Sequence, residues 1–143
     1  MKECFVTRGL RYDRPDYLKA EKSLEVAARK LEEAQKLADA NFENNALLNA
    51  YASMFHSGRA LLFKDGVIEK SHYCLIAYLQ EEYAQKDIIE TGIITLMDSF
   101  RQERHDVLYS LESMEIGKED VAEALANAKK LLAVAKKILK NNK

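Results

Sequence analysis

Apolar residues recur every three or four positions along most of the chain, which is the spacing that places side chains on one face of an α-helix. The first clear stripe consists of Tyr17, Ala20, Leu24, Ala27, Leu31, Ala34 and Ala38. A second regular stripe, near the end of the chain, consists of Val121, Leu125, Ala128, Leu132, Ala135 and Leu139. Charged residues occupy the other positions of both segments, as is typical of amphipathic helices that bury one face.

Five helices are predicted from this spacing and from the residues that begin and end helices. We expect them at about 13–40, 46–63, 72–83, 89–114 and 119–140. Pro15 suits a first helical turn, Ser71 is a good N-cap, and Gly66 can supply a left-handed C-cap. The segment 46–63 carries few charges, so we expect this helix at the centre of its bundle.

The short connections between the predicted helices favour an all-α, up-and-down bundle of four or five helices. Residues 1–12 show no regular apolar spacing, and we expect them to form a partly ordered arm. No repeat, linker or change of composition divides the chain, so residues 1–143 are expected to form a single domain.

The overall charge limits the partners that the chain can attract. The formal net charge is −1, which gives no general attraction to nucleic acid or to anionic membranes. Any anion site must therefore be a local patch, and no DNA partner is expected. The sequence has no apolar run long enough to cross a bilayer and no signal-peptide pattern at its start, so no membrane association is expected.

The cysteines and histidines give no metal or redox motif. Cys4 and Cys74 are far apart in sequence and belong to no CxxC pair, which favours free thiols and a cytoplasmic protein. His56, His72 and His105 lack the spacing of metal ligands, so we expect neither a metal nor a cofactor.

The segment Phe100–Tyr109 concentrates the candidate chemistry. Read as a helix, it places Arg104 on the apolar stripe between Phe100 and Val107. A guanidinium in that position cannot lose its charge, so it must pair with an acid or reach a wet cleft.

Arg101, His105 and Tyr109 line the adjacent face of the same predicted helix. Arg101 and Arg104 could bind a phosphate, and His105 could move the proton of a ribose 2′-hydroxyl. Tyr109 could stack on a base or donate a hydrogen bond. The alternative is that Arg104 pairs with a buried acid from another helix and that His105 faces solvent.

A second group could extend this anion cleft toward the loop after the second helix; it consists of Arg59, Lys70 and His72. The alternative is that Arg59 is an internally paired Arg and that His56 is a hydrogen-bonded core histidine. The aromatic residues at helical spacing are expected to pack in the core; they are Tyr51, Phe55, Tyr73, Tyr78 and Tyr83.

Two separated segments resemble HEPN domains (higher eukaryotes and prokaryotes nucleotide-binding), especially the small stand-alone bacterial and archaeal branch. The first runs from Asn45 to Phe63 as NALLNAYASMFHSGRALLF and is followed by Gly66 and the run EKSH at 69–72. The second is Arg101-x-x-Arg104-His105-x-x-x-Tyr109. The resemblance covers roughly residues 16–140, nearly the whole chain.

The resemblance implies a helical bundle that forms homodimers. In active members of the family, an Arg is followed by a spacer of four to six residues and a His, and two copies of this motif cleave RNA without a metal. Other members bind nucleotide or RNA, or pair with a nucleotidyltransferase. In a toxin branch, the motif ends in His-x-Tyr and the partner modifies that Tyr.

The sequence departs from this signature at the histidine. Three residues separate Arg101 from His105. Four residues separate Arg104 from Tyr109, so a Tyr stands where the signature has a His. Tyr109 does not follow a His-x pattern either.

Three functions follow from these residues. We favour a homodimer that binds nucleotide, RNA or a nucleotidyltransferase partner through an Arg-rich cleft, with a toxin–antitoxin-like role. One alternative is a metal-independent ribonuclease that uses Arg104 and His105 as catalytic residues across the dimer interface. The other is a purely structural helical assembly module in which the Arg cluster forms internal ion pairs.

Overall fold

A computed structural model describes residues 1–109 and 116–141 of the protein, and it describes side chains at 1–103 and 116–141. The sequence folds into a helical bundle with one small sheet. The elements in chain order are α1 (Lys2–Val6), β1 (Leu10–Tyr12), α2 (Tyr17–Asp39), α3 (Glu43–Asp65), β2 (Val67–Glu69), α4 (His72–Leu79), its π-helical continuation (Gln80–Ala84), α5 (Thr91–Tyr109) and α6 (Lys118–Asn141). The predicted all-α class is confirmed.

The central position predicted for the second long helix is also confirmed. α3 packs against α2, α4, α5, α6 and β2, and α2 and α6 also contact each other. Many of the residues at these contacts are small, which lets the helix axes approach closely. The fully buried alanines of the three long helices are Ala20, Ala27, Ala34, Ala46, Ala50, Ala60, Ala124, Ala128 and Ala135.

Local residues fix three helix ends, but α2 begins only at Tyr17, so Pro15 precedes the N-cap Asp16 and does not lie in the first turn as expected. Asp16 accepts a hydrogen bond from the Lys19 backbone N–H (2.9 Å), and Ser71 Oγ accepts one from the Cys74 N–H (3.2 Å). Gly66 ends α3 with φ of 77°, and a methyl group there would lie 2.7 Å from the Asp13 carbonyl oxygen. Glycine is therefore required at 66 both by the backbone angle and by the close approach.

The N-terminal residues differ from the expected partly ordered arm. Residues 2–6 form α1, and β1 pairs antiparallel with β2, with Leu10 opposite Glu69 and Arg11 opposite Ile68. Leu10 is buried. A three-residue strand is too short to show a period of two, so the sequence pattern could not reveal it.

The prediction of free thiols is wrong. Cys4 and Cys74 form a disulfide, with their Cα atoms 5.7 Å apart, and both residues are buried. The contact arises because α1, together with β1, lies against the first turn of α4. A separation of 70 residues in sequence gave no signal of this pairing.

The segment between α4 and α5 follows the prediction closely. The predicted helix at 72–83 appears as α4 and its π-helical continuation, and the gap predicted between 83 and 89 contains a turn in which Asp87 has φ of 58°. Gly92 lies in the first turn of α5, so it does not kink the helix. The last predicted turn of this helix, 110–114, lies outside the described residues.

A carboxylate at the end of α3 ties that helix to α4. Asp65 Oδ2 accepts hydrogen bonds from the hydroxyls of Tyr78 (3.0 Å) and Tyr83 (2.6 Å), and Lys64 Nζ pairs with Oδ1. Burial and these bonds to a carboxylate raise the pKa of both tyrosines far above its ordinary value.

Within the described residues, no helix combines the length and the apolar character needed to cross a lipid bilayer.

Replacing Gly58 tests the close contact between α3 and α4. A methyl group at Gly58 would lie 2.7 Å from Leu79 Cδ1 and 3.1 Å from Leu75 Cδ2, and both leucines are fully buried. We expect Gly58→Ala to lower the free energy of unfolding by about 1–3 kcal/mol, because the packed leucines must shift. Urea unfolding measures this change.

Gly92→Ala is the matched control, because no atom lies within 4 Å of the added methyl group. This change should raise the free energy of unfolding by about 0.4–1 kcal/mol, since alanine favours the helix. Equal effects at the two positions would contradict the packing account.

Candidate functional site

The first turn of α4 lies between α3 and α5 and presents an exposed aromatic ring to α5. Tyr73 is 59% exposed. The Cζ atom of Arg101, on α5, lies 5.6 Å from the centroid of this ring. Arg101 Nε also donates a hydrogen bond to Asp98 Oδ1, one turn earlier on the same helix, at 2.9 Å. An acid and an aromatic face thus hold the guanidinium in place at the surface.

This arrangement, the Arg101–Tyr73 platform, can bind a nucleotide in two ways. The bond to Asp98 uses one of the five N–H donors of the guanidinium, and a phosphate can accept from others. The exposed ring of Tyr73 can stack on a nucleobase. Tyr73 and Asp98 also line a cleft of ≈ 330 Å³ between α4 and α5, which gives a small ligand room beside the platform.

Three of the predicted site residues follow Arg101 along α5. Arg104 and His105 lie one turn further and Tyr109 lies one turn beyond them, because the helix continues to Tyr109. Their side chains lie outside the described residues. Their roles in binding or catalysis therefore stay predictions.

His72 is held by α3. A hydrogen bond of 2.8 Å joins the Tyr51 hydroxyl to His72 Nδ1, and the imidazole stacks on Phe55 with ring centroids 4.2 Å apart. His72 and Tyr73 are adjacent in sequence but point to different helices. These contacts thus bring Tyr73 to Arg101 and bring His72 to Tyr51 and Phe55.

Arg59 is an internally paired residue, which was the alternative left open by the sequence. Its Nε lies 2.9 Å from Oε1 of Glu69, whose side chain is only 6% exposed. The two atoms are close enough for an ion pair, but the N–H is not aligned for a hydrogen bond. Burial raises the pKa of Glu69, and the charge of Arg59 opposes that rise. This pair belongs to β2 and α3, so it is not part of the platform.

Two further residues named from the sequence are Lys70 and His56. Lys70 is exposed and lies between β2 and α4. His56 is half-buried and meets the ring of Phe55 edge-on, with centroids 5.6 Å apart. Burial lowers the pKa of His56, and the charges of Arg59 and Lys30 lower it further. Its ring is therefore neutral at neutral pH.

Tyr73 is the site residue that the sequence reasoning missed. The expectation of core packing holds for Tyr51, Tyr78 and Tyr83, which are buried, but is wrong for Tyr73. A signal was present, because His72 rather than Tyr73 continues the apolar stripe of Leu75 and Leu79 at steps of three and four.

Among the described side chains, no three His, Cys, Asp or Glu residues converge on a point where a metal could bind.

A double-mutant cycle tests the ion pair between Arg59 and Glu69. Arg59→Met keeps the apolar stem beside Phe63 but leaves the buried carboxylate without a cation. We expect it to lower the free energy of unfolding by about 1–2 kcal/mol, a modest cost because Arg59 is half-exposed. Adding Glu69→Gln should restore part of this loss in urea unfolding. Strictly additive effects of the two changes would contradict the pairing.

The pKa of His56 predicts how stability depends on pH. Because the folded-state pKa of His56 lies below its ordinary value of 6.5, the unfolded chain binds the proton more tightly. His56 therefore contributes to folding stability at pH values above its unfolded-state pKa. This contribution is lost as pH falls from the unfolded-state pKa toward the lowered folded-state pKa. We expect the wild type to lose more stability than His56→Gln between about pH 7.5 and about pH 5.5 in urea unfolding. Parallel curves for the two proteins would contradict this assignment.

Comparison with protein families matches residues 20–139 to the HEPN domain. The match begins in α2 and ends in α6, so it spans the three long helices and the platform on α4 and α5. A comparison with curated proteins gave no significant match. The matched length is most of the 143 residues, and the chain belongs to the HEPN domain family.

Proposed function

We propose that the protein is a HEPN module that binds nucleotide or RNA at the Arg101–Tyr73 platform. The observation that carries the proposal is the Arg101 guanidinium held over the exposed ring of Tyr73 at 5.6 Å. A cation beside an open aromatic face suits a phosphate and a base from the same nucleotide. Family membership supports this choice of ligand, since HEPN domains have nucleotide- and RNA-related roles.

The remaining predicted residues extend the platform along α5. In the proposal, Arg104 adds a second guanidinium for phosphate, and His105 and Tyr109 complete the ligand contacts. A homodimer brings two copies of this group together and doubles the local positive charge despite the net charge of −1. The same proposal includes a nucleotidyltransferase partner and a toxin–antitoxin-like role. It also includes a cytoplasmic location, a compartment in which disulfides are rare.

Binding measurements with labelled single-stranded RNA test the platform. Arg101→Gln removes the charge and keeps a shorter polar side chain. We expect it to weaken binding by about 10- to 100-fold, because hydrogen bonds to charged groups contribute about 1.5–3 kcal/mol. Lys129→Gln, on an exposed position of α6, removes the same charge elsewhere and should leave the affinity within about twofold. Fluorescence anisotropy reports both affinities.

Changes at Tyr73 separate stacking from charge in the same assay. Tyr73→Ala should cost about 1–3 kcal/mol of binding free energy, and Tyr73→Phe should retain nearly all of it, because phenylalanine keeps the π face. Unchanged binding in both Arg101→Gln and Tyr73→Ala would refute the platform. RNA cleavage in EDTA that His105→Ala abolishes would establish the ribonuclease alternative instead.

A further inference from the structure

Exposed cations surround the two-stranded sheet. They are Arg8, Arg11, Arg14, Lys19 and Lys70, and we call this group the sheet surface. Two carboxylates in the same region are internally engaged, since Asp65 accepts from two tyrosines and Glu69 is buried against Arg59. Asp13 and Asp16 remain on the outer side. The sheet surface thus carries a local excess of positive charge on a chain whose net charge is −1.

A cleft of ≈ 300 Å³ opens beside these cations. Its apolar part is formed by Pro15, Phe63, Val67 and Ile68. Its rim carries two cations, Arg14 and Lys19, and two carboxylates, Asp13 and Asp16. Lys19 Nζ lies 5.8 Å from the centroid of the Phe63 ring, and Arg59 Cζ lies 5.5 Å from it. A flat apolar group can enter such a cleft while an attached anion stays at the rim.

A second aromatic group lies at the end of β1. Tyr12 is 74% exposed, and its ring stacks on Phe5 with centroids 4.4 Å apart and planes 17° from parallel. Arg11 precedes Tyr12 and lies opposite Ile68, a residue of the cleft. Aromatic and cationic side chains thus both occur around the sheet, a combination that proteins use to bind single-stranded nucleic acid by stacking and charge.

Backbone hydrogen bonds hold the parts of this surface in fixed positions. The Asp13 N–H donates to the Gly66 carbonyl (2.8 Å), the Asp16 N–H to the Phe63 carbonyl (2.8 Å), and the Lys70 N–H to the Gly9 carbonyl (2.9 Å). The two outer acids also have local roles, because Asp13 Oδ1 accepts from the Arg14 N–H and Asp16 Oδ1 caps α2. The cations are therefore presented on a preformed frame.

We propose that the sheet surface is a second RNA contact, on which a single-stranded segment places one base in the Phe63 cleft. The phosphates on either side of that base pair with Arg11, Arg14 and Lys19. Lys70 connects the two surfaces, because it follows β2 directly and precedes Tyr73 by three residues. The inference rests on the proposed function only in taking RNA as the ligand, since it uses none of the platform residues.

The salt dependence of RNA binding tests this inference in the full chain. Arg14→Gln/Lys19→Gln removes two exposed cations, and Lys129→Gln/Lys130→Gln removes two from the exposed face of α6 as the matched control. The probe is a labelled single-stranded RNA of about 16 nucleotides. We expect the slope of log K against log salt concentration to fall in magnitude by about 1.4 for the first variant, because each lost phosphate contact on a single strand is worth about 0.7. The control should keep the wild-type slope.

Ultraviolet crosslinking to the same RNA gives a second readout that maps the contact. Crosslinked peptides should contain Tyr12 or Phe63, and competing salt should reduce their yield. A wild-type slope in Arg14→Gln/Lys19→Gln, together with no crosslink to either residue, would overturn the inference.

The binding experiments distinguish the hypothesis of the platform from that of the sheet surface. RNA binding that depends on Arg101 but not on Arg14 and Lys19 overturns the second contact and leaves the proposed function standing. The reverse result supports the sheet surface and removes the platform. A wild-type protein that binds no RNA, including one that binds an acidic protein instead, overturns both.

Discussion

The close packing of α4 against α3 is the constraint on which the candidate site depends. Gly58 allows Leu75 and Leu79 of α4 to lie directly on the α3 backbone, at distances that would not admit even a methyl group. Asp65 secures the far end of the same interface through two tyrosine hydroxyls. With α4 fixed in this way, its first turn reaches α5, and Tyr73 meets Arg101 at the surface.

Paired charges explain how a nearly neutral chain can present binding cations. Arg101 is held by Asp98 on its own helix, and Arg59 is held by the buried Glu69. The two ion pairs differ in their surroundings. Asp98 orients Arg101 beside an open aromatic ring and a cleft, whereas Arg59 pairs with a buried carboxylate between α3 and β2. In the proposed function, the same ion-pair chemistry thus supports ligand binding in one place and folding in the other.

The sequence predicted the helices well because their information is local. Apolar spacing, the Ser71 cap and the Gly66 stop each act within a few residues, and the structure confirms Ser71 and Gly66 in these roles. The β1–β2 pairing and the disulfide between Cys4 and Cys74 depend on contacts between distant segments. Such contacts leave no periodic trace in a single sequence, and the predicted free thiols were wrong for this reason.

The candidate site was only partly predictable for a related reason. Arg101 stood out by its chemistry, but its aromatic neighbour comes from a different helix, and only the packing of α4 reveals it. Arg59 and His72 were grouped with Arg101 by residue type, whereas the fold gives each its own partners on α3 and β2. The roles of Arg104, His105 and Tyr109 remain predictions from sequence and family membership.

Nuclear magnetic resonance titration with single-stranded RNA tests the central claim most directly, because it reports contacts residue by residue without changing the protein. The account predicts saturable shifts of the Arg101 side-chain Nε–H and of the Tyr73 ring, at the same RNA concentrations and with one affinity. Saturable shifts confined to the exposed face of α6, with Arg101 and Tyr73 unmoved, would contradict it.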